Sequence, residues 1–135
     1  MNDETGIGLS TRYTEVRKLG QGGMGIVHQA IDGDTCKPVA LKWLHPHLAA
    51  NPEFVERFKT ELSLAQSISH RNVCRVHDLH KLNGRYAIAM EYIDGETLQT
   101  FLQRKKPSLE ETLSIIGPVL DGLAGLTLWT SCIAT

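Results

Sequence analysis

The chain has 135 residues, 41% of them apolar and 21% charged, with a formal net charge of -1 at pH 7. That length suits one domain with one modest core, and the near-neutral balance offers nucleic acid or an anionic membrane surface nothing to attract. Three cysteines behind an acidic, polar start (M-N-D-E-T-G) argue against a secreted disulfide framework and for a reducing, cytoplasmic compartment.

Arg12 to Leu19 is expected to be a strand running into a glycine cluster, with Gly25 to Ile31 as its return, so that G-Q-G-G-M-G caps a hairpin. Asp32 to Asp34 supply turn residues, and K-P-V-A-L-K-W-L, Lys37 to Leu44, is a third strand. Alternation along it puts Val39, Leu41 and Trp43 on one face, with Ala40 and Lys42 on the other. Asn51-Pro52 opens a helix, an N-cap residue followed by proline at the first helical position. Helical spacing then lines up Phe54, Phe58, Glu61, Ala65 and Ile68 on one stripe. Val73 to Leu79 and Tyr86 to Ile93 are two more strands around an Asn83-Gly84 turn. Thr97 to Lys105 is a short helix, and Ser108 with Glu111 forms a capping box that opens a last one. The uncharged stretch from Gly122 to Thr135 is shorter than the roughly 20 residues a spanning helix needs, so no membrane segment is expected.

Three features carry chemistry. Gly20, Gly22 and Gly25 stand as G-x-G-x-x-G, a spacing that lets backbone N–H groups approach phosphate oxygens with no Cβ in the way. A plain glycine-rich hairpin turn remains an alternative. A dinucleotide-binding fold would need a helix after the last glycine, where the β-branched sequence Ile26-Val27 stands instead. Lys42 in V-A-L-K is costly inside so apolar a strand unless it meets an anion or snorkels to solvent. Glu61 is costly on an apolar helical stripe without a partner. An inward Lys42–Glu61 pair beside a phosphate-cradling loop would satisfy both and define a nucleotide site.

L-G-Q-G-G-M-G-I-V, V-A-L-K, Glu61 in F-K-T-E, and M-E-Y-I-D-G-E-T-L resemble, in order, the signatures of a protein-kinase N-lobe over residues 13 to 125. S-H-R-N-V at Ser69 to Val73 is similar to the bacterial serine/threonine branch. The resemblance implies an α+β fold: a five-stranded antiparallel sheet with one main helix, followed by two helices of a C-lobe. It implies ATP as cofactor, with Mg in the intact family, and a protein substrate. Gly20, Gln21, Gly22, Gly23, Met24 and Gly25 would cover the phosphates. Lys42 would hold the α- and β-phosphates and pair with Glu61. Leu19, Val27 and Ala40 would roof the adenine, and Met90 would stand behind it. The Glu91 carbonyl and Ile93 backbone would bond the adenine edge, and Glu96 would reach the ribose.

The histidines offer no zinc spacing and no metal site is expected; His45-Pro46-His47 is placed in a loop and Cys74 in a core strand. The sequence contains no H-R-D-x-x-x-x-N and no D-F-G, so the chain is expected to be catalytically dead; a non-catalytic, pseudokinase-like interaction module is the alternative. The exposed last helix, with Ile115, Ile116, Val119, Leu120 and Leu123, would then be its docking surface. Residues 1–12 form an N-terminal tail. Residues 126–135, L-T-L-W-T-S-C-I-A-T, fit no helix or loop of the family. Read one base over from the codon of Gly125, permitted codons spell Ala-His-Ala-Leu-Asp-Val-Leu-His-Arg-Asp, with Leu to follow. Trp129 before Thr130 forces the Asp codon, and Cys132 before Ile133 allows only His or Tyr. A lost base near Gly125 is therefore expected, with a chance-compatible tail as the alternative.

Overall fold

The computed structural model describes residues 12–133, with side chains described through residue 127. They fall into two compact units. One holds the chain up to Ser67 together with Arg75–Tyr92, and the other holds Ile68–Cys74 together with the chain from Ile93 onward.

The first unit is a five-stranded antiparallel sheet. Its strands are β1 (Tyr13–Gln21), β2 (Gly25–Asp32), β3 (Lys37–Leu44), β4 (Val76–Leu82) and β5 (Arg85–Glu91), in the spatial order β1-β2-β3-β5-β4. A one-turn helix α1 (Pro46–Ala49) and the longer α2 (Pro52–Gln66) complete it. Pleating divides the sheet's side chains as alternation predicts. Tyr13, Ala30, Val39, Leu41 and Ala89 form one buried cluster. Leu44 and Ile88 on the opposite face pack with Phe58, and around them gather Phe54, Leu62, Val76, Leu79 and Met90. The β4–β5 turn is made by Asn83 (φ 50°) and Gly84 (φ 78°), the left-handed pair that lets a two-residue hairpin follow the sheet's twist.

Asn51 caps α2 as its sequence requires: its Oδ1 accepts from the amides of Glu53 and Phe54 at 3.0 and 3.2 Å. The buried stripe differs from the expected one. Val55 and Phe58 are the buried residues, with Phe54, Leu62 and Ala65 beside them, while Glu61 lies on the exposed side. Leu62 takes the inward place that spacing alone gave to Glu61.

An ion pair ties β1 to the β2–β3 turn. Arg12 grips the buried Asp32 through Nε and Nη2, both at 3.0 Å, and its Nε also lies 3.1 Å from Asp34. The Asp34 amide adds a bond to Asp32 at 3.0 Å. The Arg12 guanidinium, first among these, lowers the Asp32 carboxyl from its ordinary 3.8 to about 2. A depressed carboxylate favours the folded state fully above the ordinary value, and that contribution disappears as pH falls through the folded one. Thermal unfolding of Asp32→Asn should therefore show lower stability than the parent at neutral pH. The gap should close between pH 3.8 and about 2. A gap unchanged across that window would show that the pair contributes nothing to acid sensitivity.

The second unit holds α3 (Leu98–Arg104) and α4 (Leu109–Ile133). Thr97 caps α3 by accepting the Thr100 amide, and Ser108 and Glu111 bond each other's amides at 3.1 and 2.9 Å in the expected capping box. The segment from Ile68 to Cys74 joins this unit rather than extending β4, which starts at Val76. The carboxylate of Asp121 on α4 collects Asn72 Nδ2 at 3.1 Å, Arg71 Nη2 at 3.5 Å and His70 Nε2 at 3.7 Å. Glycines on α4 make room for that contact. A Cβ at Gly122 would lie 3.1 Å from the Asn72 carbonyl oxygen, and one at Gly125 would lie 2.8 Å from the His70 ring. Cys74, expected in a core strand, lies before the start of β4 and is exposed. Residues Leu126 to Ile133, expected to fit no helix or loop of the family, continue α4: nothing between Gly125 and Ile133 breaks a helix once it is propagating. Ala134 and Thr135 lie outside the described residues, as does the tail before Arg12. No helix of the described residues is long and apolar enough to cross a membrane.

Candidate nucleotide-binding site

Strand register gathers most of the expected site residues on one face of the first unit. Val27 pairs with Lys42, and Lys42 with Ile88. One step along, Gln29 pairs with Ala40, and Ala40 with Met90. Residues directly opposite across antiparallel strands project to the same side. Val27, Ala40, Lys42 and Met90 therefore share a face, the one carrying Leu44 and Ile88. Leu19 lies at a register shift between Lys18 and Gly20 and is partly exposed.

At the end of that face the β1–β2 hairpin closes through a turn over residues 22–24. Gly22 donates its amide to the Gly25 carbonyl at 2.9 Å. The glycines do two different jobs. Around Gly20, Gly22 and Gly23 an added Cβ would meet nothing within 4 Å. At Gly25 it would lie 1.7 Å from the Trp43 carbonyl oxygen and 2.7 Å from its carbon. Gly25 is thus required by the close approach of β3, whatever the turn binds. Gln21 and Met24 are exposed beside it.

Lys42 is half-buried, and among the described residues its side chain makes no hydrogen bond or ion pair. The expected pairing with Glu61 is not formed. Glu61 sits with its side chain 67% exposed, its Oε1 at 3.6 Å from Nε of Arg57 one helical turn earlier. The physical reason is the rotation of α2: Leu62 packs toward the sheet and carries Glu61 outward. Water relieves the carboxylate of the desolvation that had argued for a buried partner.

The connecting segment after β5 is divided between the units. Glu91 belongs to the first, where its amide donates to the Arg75 carbonyl at 2.8 Å and its Oε2 accepts the Arg75 amide at 3.1 Å. Ile93 belongs to the second and is 63% exposed. Glu96, expected at a ribose, accepts a hydrogen bond from Arg104 of α3.

Several residues of this region escaped sequence reading. His45, expected in a loop, is the N-cap residue of α1, and its ring bonds the glycine turn instead of the helix. Arg17 on β1 donates to Gln29 Oε1 at 2.9 Å and to the Tyr92 hydroxyl at 3.0 Å. Neither has a spacing that marks it out; long-range side-chain bonds leave no periodic trace. Among the described residues no group of three metal-binding side chains occurs.

This sheet, with its glycine hairpin and strand lysine, defines a protein-kinase domain: residues 13–127 match the protein kinase domain family, and the chain belongs to that family. The bacterial proteins it resembles are mainly serine/threonine-protein kinases, with a tyrosine-protein kinase, MasK of Myxococcus xanthus, among them at 40% identity over 67% of this chain. It is 38% identical to probable serine/threonine-protein kinase pknA2 of Bifidobacterium longum, over 86% of this chain and 16% of that protein. It is 34% identical to serine/threonine-protein kinase PrkC of Bacillus subtilis, over 86% of this chain and 18% of that one. The crystal structure of the Mycobacterium tuberculosis PknI kinase domain superposes with a TM-score of 0.70 at 34% identity, covering 85% of this chain and 47% of that domain. The chain thus spans less than a fifth of these two curated relatives and about half of a solved kinase domain. The α+β architecture expected from the motifs is the one observed.

Proposed function

We propose that the first unit binds ATP on the face shared by Val27, Ala40, Lys42 and Met90, and that these 135 residues alone transfer no phosphate. The observation carrying the first half is Lys42, a half-buried ammonium with no carboxylate partner among the described residues, set in register between Val27 and Ile88. A cation among apolar neighbours is stabilised by an anion, and a polyphosphate beneath an open glycine turn supplies one. Leu19, Val27 and Ala40 would cover the adenine and Met90 would back it. The main chain at Glu91 would read its edge, and the turn over Gly20–Gly25 would lie along the phosphates. Mg²⁺ would arrive with the nucleotide. The Asn of a catalytic loop and the Asp of a D-F-G, which hold it in the intact family, have no counterpart in this sequence. In an intact kinase the phosphate would pass to a protein serine or threonine; no nucleic-acid partner is proposed. The odd cysteine count suits a reducing, cytoplasmic setting.

Titration calorimetry with Mg–ATP tests the first half: binding that survives an excess of GTP but not of ATP is expected, and no heat with either would exclude the site. Radiolabelled ATP tests the second. No label should enter a serine- and threonine-containing protein substrate or the chain itself, because the base and the metal ligands are missing together. We further propose that residues 126–135 are read one base out of frame. The family match ending at residue 127 supports this. The DNA downstream of the Gly125 codon should then continue, in the shifted frame, from H-R-D-L through Lys-Pro and Asn to D-F-G. A sequence giving neither in any frame would remove the proposal.

The second reading, a non-catalytic interaction module, is favoured by α4. Leu109, Leu113, Leu120 and Leu123 are 77, 62, 59 and 54% exposed within the second unit. Monodisperse behaviour of the purified chain in light scattering would favour it, and concentration-dependent aggregation would count against it.

A further inference from the structure

The turn over residues 22–24 has almost nothing holding it. No protein atom comes within 4 Å of where a Cβ would stand on Gly22 or Gly23. Within the turn the single bond is Gly22 N to Gly25 O. Among the described residues, the bonds reaching the turn from outside both come from His45. Its amide donates to the Met24 carbonyl at 2.9 Å, one step beyond the Gly25–Leu44 pair that ends the β2–β3 ladder. Its imidazole Nε2 lies 2.9 Å from the Gly22 carbonyl oxygen. A carbonyl only accepts, so Nε2 carries the proton and donates. His45 gives up side-chain capping of α1 to make this bond, and the His47 ring stacks on it with centroids 5.6 Å apart. Because Gly25 lies hard against the Trp43 carbonyl, residues 43–45 fix both the base and the crest of the turn.

From this geometry we infer that His45 is a positioning residue for the polyphosphate end of the nucleotide site: its imidazole clamps the Gly22 carbonyl and fixes the height of the glycine turn. The inference rests on the ATP assignment above and adds to it the residue that presents the turn. Clamping a main-chain carbonyl orients the neighbouring amides before the ligand arrives, so less ordering is required on binding. The benefit falls on groups that meet phosphate and leaves the adenine contacts untouched.

The experiment compares Mg–ATP and adenosine binding in the full chain, His45→Ala and His45→Gln, alongside hydrogen exchange of the unliganded proteins. One net hydrogen bond corresponds to about a five-fold change in affinity. His45→Ala should weaken Mg–ATP by that factor and leave adenosine within about two-fold, with faster exchange of the Gly22 amide. His45→Gln, whose amide nitrogen can donate to the same carbonyl, should restore both. Equal weakening of Mg–ATP and adenosine would reduce His45 to a structural role and overturn the inference. So would unchanged exchange at Gly22 in His45→Ala. If the parent binds neither ligand, the ATP assignment fails by itself, while the exchange result still decides whether the clamp exists.

Discussion

Replacing Lys42 by Met should lower the affinity for Mg–ATP about 30-fold, the loss of roughly 2 kcal/mol expected when a charge-assisted contact is removed. The thermal midpoint should stay within about 2 °C of the parent, less than a 1 kcal/mol change would give. The two halves follow from one observation. Were Lys42 paired with a buried carboxylate, its removal would leave an uncompensated charge and cost stability as well as binding. Among the described residues it has no such partner, and Met in its place would sit beside Val27 and Ile88 in register. Glu61→Ala provides the contrast. With Glu61 exposed and loosely paired to Arg57, its loss should change stability by less than about 0.5 kcal/mol and barely alter affinity. Calorimetry and thermal melts on the two variants separate the cases. A large stability loss in Lys42→Met would reveal a Lys42–Glu61 pair populated in solution, and unchanged affinity would remove Lys42 from the site.

Gly25→Ala should destabilise the chain by about 3 kcal/mol, at the upper end of overpacking costs, because nothing soft is available to yield. The added Cβ would meet the carbonyl oxygen and carbon of Trp43, and then the Leu44 Cα at 3.3 Å, all main-chain atoms of the adjoining strand. Relief requires parting β2 from β3 at the edge of the core, where Trp43 and Leu44 are both buried. For a domain of this size the midpoint should fall by about 10 °C. Gly22→Ala should do the reverse: open surroundings leave stability unchanged within about 1 kcal/mol, while a methyl group on the phosphate side weakens Mg–ATP. Equal thermal shifts in the two variants would show that all the glycines serve one purpose, against the division proposed.

Most of the elements were legible in the sequence alone. Alternation in K-P-V-A-L-K-W-L, the left-handed Asn83-Gly84 pair, the Asn51 cap and the Ser108–Glu111 box are local: each is decided by residues within a few positions of one another. Family motifs extended that to a five-stranded antiparallel sheet and to roles for Val27, Ala40, Lys42 and Met90 around one nucleotide; the strand register put the four on one face. Facing of α2 was not local. Phe54, Phe58 and Ala65 belong to two overlapping stripes, one continued by Glu61 and the other by Val55 and Leu62, and neighbouring residues on a helix differ by only about 100° of rotation. Only the sheet, by accepting Leu62 among Leu44, Ile88 and Leu79, chose between them and turned Glu61 to solvent. The same holds for His45 and for the Ile68–Cys74 segment. A ring reaching a carbonyl 23 residues earlier, or a loop bonded to a carboxylate some 50 residues later, depends on distances that exist only once the chain has closed on itself.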